Sequence, residues 1–147
     1  MTSYFPKKKK PNPVVQIHRM QKMFPQFNYS GRNGSFVFIG RLQPQVLSPR
    51  YLVKIVYKLA RDPKVFVLEP ALEDNAPHRY PNTKALCLYS FKLFQWNDNL
   101  FVADYIVPWT ATWLYFYEVW KETGKWYGEE APHASNEPKV DVDDDGT

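Results

Sequence analysis

Short segments in which apolar and polar residues alternate fill the first half of the chain. In segment 51–59 every second residue is apolar, which predicts a strand with one buried face, formed by Tyr51, Val53, Ile55, Tyr57 and Leu59. Segment 64–68 is short and β-branched, and residues on both sides of the turn-rich segment 30–34 predict a hairpin. Connections this short join antiparallel strands, so the sequence predicts a four-stranded antiparallel meander.

Helical periodicity marks both ends of this sheet. In segment 14–23 apolar residues recur at every third position, which predicts a short amphipathic helix. Segment 69–85 has no periodicity and contains three prolines, which indicates a long loop. Further on, Pro108 is expected to separate a helical piece over 100–106 from a second piece that starts near Trp109. The fold class is therefore α+β, with an N-terminal helix and C-terminal helices flanking the sheet.

The second helical piece carries an aromatic stripe that ends before Gly124, a natural helix stop. Its members share one helical face: Trp109, Trp113, Phe116 or Tyr117, and Trp120. Such a stripe is either a core face or a platform on which nucleic-acid bases stack, and the helical spacing favours the core.

Composition narrows the class of protein. A chain of 147 residues suits one domain, and its single cysteine, Cys87, excludes an internal disulfide framework and a cysteine-based zinc site. A reducing, cytoplasmic setting fits best. The most hydrophobic span, 100–120, contains Asp104, Pro108 and Glu118, so we interpret it as buried helix and expect no membrane segment.

The charge runs lie at the two ends. Residues 1–13 include four consecutive lysines, and residues 134–147 form an acidic tail. We expect a disordered basic lead and a loose tail around a domain at 14–133. A nuclear-import-like signal or a nucleic-acid arm are alternative interpretations of the lysines, and a solvated terminus is the simplest one.

Cys87 is the clearest candidate for a reactive residue. Between Leu86 and Leu88 it has the sequence context of a small buried hydrophobe. The alternative is a nucleophile, since it follows an irregular loop that contains His78, which can approach the sulfur or donate to a developing oxyanion.

Other chemistries find no support in the sequence. The glycines form no nucleotide-binding fingerprint, and His18, His78 and His133 lack companion ligands, so we expect neither an organic cofactor nor a metal. Acidic pairs such as Glu129 and Glu130 lie in polar surroundings typical of a solvated surface.

Several motifs resemble ubiquitin-conjugating enzymes. Segment 38–44, the strand from Tyr51 and segment 63–70 resemble the sheet of that fold, and segment 77–82, Cys87-Leu88 and Trp96 resemble its histidine-containing loop, catalytic cysteine and following tryptophan. The tryptophan-rich stretch after Cys87 is similar to ubiquitin-conjugating-enzyme-like proteins of bacterial anti-phage cyclic-oligonucleotide signalling (CBASS) operons. That match includes segment 106–109, segment 113–120, segment 123–129 and His133.

The resemblance implies a thioester-forming enzyme. Cys87 would carry the C-terminus of a partner cyclic-nucleotide synthase, a cGAS-like nucleotidyltransferase, and pass it to an acceptor without a cofactor. The family's His-Pro-Asn tripeptide is replaced here by His78-Arg79-Tyr80, so His78 is the first candidate for oxyanion or acid/base support and Asn82 the second. Whether an activating enzyme acts in trans stays open.

The alternative of another class is a non-catalytic regulatory module. It would use the same fold to dock on a protein partner, with nucleic acid as the weaker option because the charge bias is mild.

Overall fold

The computed structural model describes residues 13–32 and 34–128, which form four strands and two helices. In chain order these are α1 (Pro13–Met23), β1 (Asn28–Arg32), β2 (Ser35–Leu42), β3 (Tyr51–Lys58), β4 (Lys64–Glu69) and α2 (Val102–Thr123). The α+β class is confirmed. Of the predicted basic lead, Pro13 is the first residue of α1; the rest of that lead and the acidic tail lie outside the described residues.

The sheet is an antiparallel meander in the order β1-β2-β3-β4, as the alternating segments predict. The first hairpin is tighter than expected, because Ser30 and Gly31 belong to β1 and Arg32 already pairs with Ser35. Gly34 takes the left-handed conformation, with φ of 79°, that a two-residue hairpin turn requires. Inter-strand hydrogen bonds thus extend into the segment that composition assigns to the turn.

The buried face of β3 is the one that the alternation predicts. Tyr51, Val53, Ile55 and Tyr57 are buried in one core with the inner face of α2. Gly40 in β2 faces Phe27, and a Cβ at this position would lie 2.7 Å from the Phe27 ring. The ring packs directly on the backbone of the sheet there, which explains why this strand position has no side chain.

Helix α2 is continuous from Val102 to Thr123, so the prediction of two helical pieces separated by Pro108 is wrong. Pro108 lies on the exposed side of the helix, where the carbonyl that it leaves unbonded can face water. Burial of the opposite face, with Ile106, Val107 and Leu114 at 1% exposure or less, outweighs the cost of about 3 kcal/mol of an interior proline. Within the described residues, no helix is long and apolar enough to cross a membrane.

Helix α1 anchors the start of α2. The residue before α2, Phe101, offers no side-chain cap, and the buried Gln16 of α1 takes that role. Its Oε1 accepts the N–H of Val102 at 2.9 Å, and its Nε2 donates to the carbonyl of Leu100 at 2.7 Å. Arg19 pairs with Asp104 at 3.0 Å across the same contact. Both polar atoms of the buried Gln16 side chain therefore have hydrogen-bond partners, and these contacts hold the two helices in register.

Candidate functional site

The long connection between β4 and α2 carries Cys87. The loop predicted over 69–85 is irregular from residue 70 onward, since Glu69 ends β4, and a single bridge links Arg79 with Leu86. The N–H of Leu86 donates to the carbonyl of Val65 at 2.9 Å, which ties the connection to strand β4. Cys87 therefore sits next to the sheet edge on a segment that the sheet itself holds.

Two residues in the left-handed conformation shape the backbone around Cys87. His78 and Lys84 have φ of 59° and 68°, which is uncommon for residues with a Cβ. Between them, Tyr80 and Lys84 close the loop through hydrogen bonds of 2.9 Å to Ala85 O and 2.8 Å to Tyr80 O. The N–H of Cys87 donates to the carbonyl of His78 at 2.9 Å. The loop thus brings His78 and Cys87 together through the main chain.

Cys87 combines burial with access to a cavity. It is 4% exposed and clusters with Tyr80 and Ala85, so the interpretation of Cys87 as a buried residue is confirmed. It also lines a cavity of about 540 Å³ that lies between the segment after Cys87 and one face of α2. Burial and a functional position are therefore compatible here, because the buried Cys87 also borders the cavity.

This cavity, which we call the aromatic pocket, has no charged residue in its described lining. Most of that lining is aromatic: Tyr89, Phe94, Trp109, Trp113, Phe116, Trp126 and Tyr127. Part of the aromatic stripe of α2 therefore faces the pocket. The stripe also contributes to the core, since Trp113 and Tyr117 are buried, and the core interpretation of the stripe is confirmed for them.

Two polar groups of the pocket wall, the Tyr89 hydroxyl and the Trp113 indole N–H, are directed at the protein. The hydroxyl of Tyr89 donates to Asp62, and the indole N–H of Trp113 donates to the carbonyl of His78 at 3.1 Å. Burial, followed by the hydrogen bond to Asp62, raises the pKa of Tyr89 far above its ordinary value, so this hydroxyl stays protonated. The ring carbons of these residues are left to form the pocket wall.

Trp126 forms the wall of the aromatic pocket that faces His78. After Gly124 ends α2, the chain turns back, and the Trp126 ring centroid lies 4.6 Å from that of His78 and 5.4 Å from that of Trp113. A Cβ on Gly128 would lie 2.8 Å from both Phe116 and Trp126. The close packing of this segment on α2 therefore requires a glycine at position 128.

The family resemblance includes Trp126 within segment 123–129, but the sequence alone does not predict that Trp126 lies at the site. The structure adds two residues that the sequence does not mark as functional: Asp62, just before β4, and Tyr89, two residues after Cys87. The available signal was an aromatic pair, Trp126 and Tyr127, beyond the helix stop and outside its periodicity. Large apolar residues in an otherwise polar segment indicate docking on the domain.

Comparison with known protein families identifies the family of this chain. The model of the family described as Type II CBASS E2 protein matches residues 16–134. The chain belongs to the Type II CBASS E2 family. The predicted resemblance to CBASS conjugating-enzyme-like proteins is thus confirmed, and membership indicates an E2-like conjugation role in CBASS. No curated protein matches the chain significantly.

The two support residues expected in this E2 protein occupy different places. His78 contacts Cys87 through its carbonyl and Trp126 through its ring. Asn82 is exposed, in the turn that Tyr80 and Ala85 close. Neither is among the described residues that line the aromatic pocket. The structure therefore brings His78 into contact with Cys87 and Trp126, which line the pocket.

The described residues contain no group of three or more His, Cys, Asp or Glu side chains that could hold a metal ion. Of the three histidines, His18 lies on α1, His78 lies beside Cys87, and His133 lies outside the described residues.

Proposed function

We propose that this E2 protein is a thioester-forming conjugating enzyme with a ubiquitin-conjugating-enzyme-like domain over 14–133. The observation that carries the proposal is the position of Cys87, the single cysteine of the chain, in the lining of the aromatic pocket. The four-stranded meander with a helix before and after it supports the fold assignment. A cysteine thiolate is a good nucleophile and a good leaving group, so one residue suffices to accept and release an acyl group.

The reaction conserves electrons and needs no redox partner. The Cys87 thiolate attacks the carbonyl carbon of an incoming thioester, a tetrahedral oxyanion forms, and the donor thiolate leaves with the proton that the thiol loses. An acceptor amine then attacks the Cys87 thioester, forms an amide bond, and releases the Cys87 thiol. The first donor would be an activating enzyme in trans that holds the same acyl chain as a thioester.

We assign oxyanion or acid/base support to His78 first and Asn82 second. The N–H of Cys87 already donates to the His78 carbonyl, so a developing oxyanion needs another donor, and we propose a side chain for that role. His78 is favoured because its carbonyl also receives the Trp113 indole N–H at 3.1 Å and its ring packs on Trp126. These contacts hold the residue beside the pocket.

The acyl chain is proposed to be the C-terminus of a CBASS cyclic-nucleotide synthase, a cGAS-like nucleotidyltransferase. Family membership supports a partner within CBASS. Joining the synthase to an acceptor would regulate anti-phage signalling in the reducing cytoplasm, where a thioester on a lone cysteine is not challenged by disulfide exchange with other cysteines of the chain.

Co-expression with a CBASS cyclic-nucleotide synthase tests the proposal. We expect a covalent adduct that dithiothreitol releases, that Cys87→Ala abolishes, and that Cys87→Ser converts to a thiol-resistant ester. Intact mass spectrometry before and after thiol treatment distinguishes these species. An adduct that persists in Cys87→Ala would contradict the assignment of Cys87.

A non-catalytic binding module is the second candidate, and the 4% exposure of Cys87 favours it. This candidate predicts that Cys87→Ala preserves both synthase binding and protection against phage. If Cys87→Ala loses protection but still binds the synthase, protection requires the chemistry of the thiol, and this candidate is wrong. Binding is measured with the purified pair, and protection by plating efficiency.

A further inference from the structure

We propose that Lys92 is an acceptor for the acyl group that Cys87 carries, so that the protein modifies its own chain. The inference rests on the proposed function, because the Cys87 thioester supplies the acyl group. It names an acceptor that the conjugation chemistry alone leaves open, since any neutral amine can attack a thioester.

A tight turn after Cys87 carries Lys92 to the edge of the aromatic pocket. The N–H of Lys92 donates to the Ser90 hydroxyl oxygen at 3.3 Å, and the N–H of Leu93 donates to the Ser90 carbonyl at 3.0 Å. Ser90 and Leu93 line the pocket together with Cys87. Leu93 is also 88% exposed, so this turn forms part of the pocket rim. Lys92 is therefore a rim residue of the pocket that Cys87 lines.

Phe91 holds the same turn against the surroundings of Cys87. Its ring packs on the cluster that Tyr80 and Ala85 form with Cys87. The ring centroids of Tyr80 and Phe91 are 6.0 Å apart, and the two planes are nearly parallel, at 16°. Because Lys92 is the next residue, its backbone is fixed beside this cluster. Its flexible four-carbon stem then gives the amine a wide reach.

The side chain of Lys92 is available for this reaction. It is exposed, and among the described residues it takes part in no ion pair and no cation–π contact. A partner that fixed the ammonium elsewhere would have to be displaced before the amine could reach a carbonyl. No such contact competes with the attack on an acylated Cys87.

Two other lysines lie close to Cys87 or to the pocket, and the structure distinguishes them. Lys84 is three residues before Cys87, but it is not in the described lining, and its N–H closes the preceding turn onto the Tyr80 carbonyl. Lys125 lies beside the pocket, but its Nζ is 4.8 Å from the centroid of the Tyr127 ring, which holds it in a cation–π contact. Lys92 is thus the best placed of the three.

The transfer step is a simple aminolysis. The neutral amine of Lys92 attacks the carbonyl carbon of the Cys87 thioester, a C–N bond forms and the C–S bond breaks. Cys87 leaves as a thiolate and takes up the proton that the amine loses. The products are an amide on Lys92 and a free Cys87 thiol, with no change of oxidation state. Two groups held close together on one chain react as if at high concentration.

A small acyl donor tests the inference on the full chain. A peptide that ends in Gly-Gly is prepared as a thioester of mercaptoethanesulfonate and mixed with the protein. Intact mass spectrometry follows the acylated protein, and dithiothreitol separates the thioester from the amide. Peptide mapping then locates the amide. A parallel reaction with N-acetylcysteine verifies that the donor is reactive.

We expect a thioester at Cys87 that converts to a dithiothreitol-resistant amide at Lys92, at a rate that does not change on tenfold dilution of the loaded protein. Cys87→Ala should reduce this amide to the background seen at other lysines. Lys92→Arg should reduce resistant acylation about tenfold or more and prolong the lifetime of the thioester. Lys84→Arg is the matched control, and it should behave as the wild type.

The outcomes separate the inference from the proposed function. A thioester at Cys87 with no amide at Lys92 would overturn the acceptor role and leave the thioester function standing. An equally abundant amide in Cys87→Ala would do the same. A conversion rate that falls in proportion to dilution would overturn transfer within one chain. Failure to acylate Cys87, while N-acetylcysteine reacts, would overturn the thioester function and the acceptor with it.

Discussion

The sheet core and the aromatic pocket are both apolar, yet they are built differently. In the core, side chains such as Phe38, Ile55 and Leu114 are completely buried between the strands and the inner face of α2. In the pocket, flat rings from α2 and from the segment after it meet at angles, and Leu93 at the rim is 88% exposed. One region is filled by its own residues, and the other leaves about 540 Å³ open.

The difference indicates which region stabilises the folded state and which region is open to a ligand. Closely packed side chains exclude water and stabilise the native state, whereas the rings that line the pocket, Phe94 and Trp109 among them, enclose a space that a ligand can fill. Substitutions in the core should therefore reduce stability first, and substitutions in the pocket should reduce reactivity first.

The largest effect on stability is expected in the core. Ile55→Ala removes a completely buried side chain from β3 and should lower the free energy of unfolding by about 2 to 5 kcal/mol. Leu68→Ala in β4 is the control, since Leu68 is 44% exposed, and it should cost about 1 kcal/mol or less. Denaturant unfolding measures both. Equal losses would contradict the division between core and surface.

Trp126→Ala should cost less stability and more activity. Trp126 is half-buried and contacts His78 and Trp113, so we expect a loss of about 1 to 2 kcal/mol. Thioester formation per folded molecule should fall about tenfold, because the wall beside His78 opens. Trp126→Phe retains a ring and should recover most of the rate. An unchanged rate in Trp126→Ala would show that this wall is only structural.

Removal of the Tyr89 hydroxyl, which donates to Asp62, is expected to have a smaller effect on stability. Tyr89→Phe keeps the ring in the pocket wall and removes the hydroxyl, so unfolding should become easier by about 1 kcal/mol while thioester formation per folded molecule is retained. Tyr115→Phe, at a tyrosine 42% exposed on α2, is the control and should be near neutral. A larger loss in the control would contradict the role of the Asp62 contact.

The smallest effect, absent at neutral pH, concerns Tyr57 in the core. Burial, and then the charge of Asp98, raises the pKa of Tyr57 to about 12. The unfolded chain loses this proton near pH 10 and the folded chain holds it longer, so stability should decline as pH rises from about 10 to 12. Denaturant unfolding of the wild type and Tyr57→Phe at several pH values measures this decline. Parallel pH profiles of the two proteins would contradict the assigned pKa.

Local patterns predicted the sheet and α1 because their causes are local. Alternation at every second residue assigned the buried face of β3, the recurrence of apolar residues predicted α1 within one residue of its start, and Gly124 predicted the end of α2. The uninterrupted course of α2 through Pro108 was not predictable in this way. It depends on burial against a sheet that is distant in the sequence.

The sequence by itself determined the class of the fold, the single cysteine and the family that its motifs resemble. Only the tertiary structure decided that Cys87 is both buried and at a cavity. The reason is that the walls of the cavity come from three separate segments, the one after Cys87, helix α2 and the turn back to Trp126. Contacts across such distances depend on how the elements pack, and no local pattern encodes that packing.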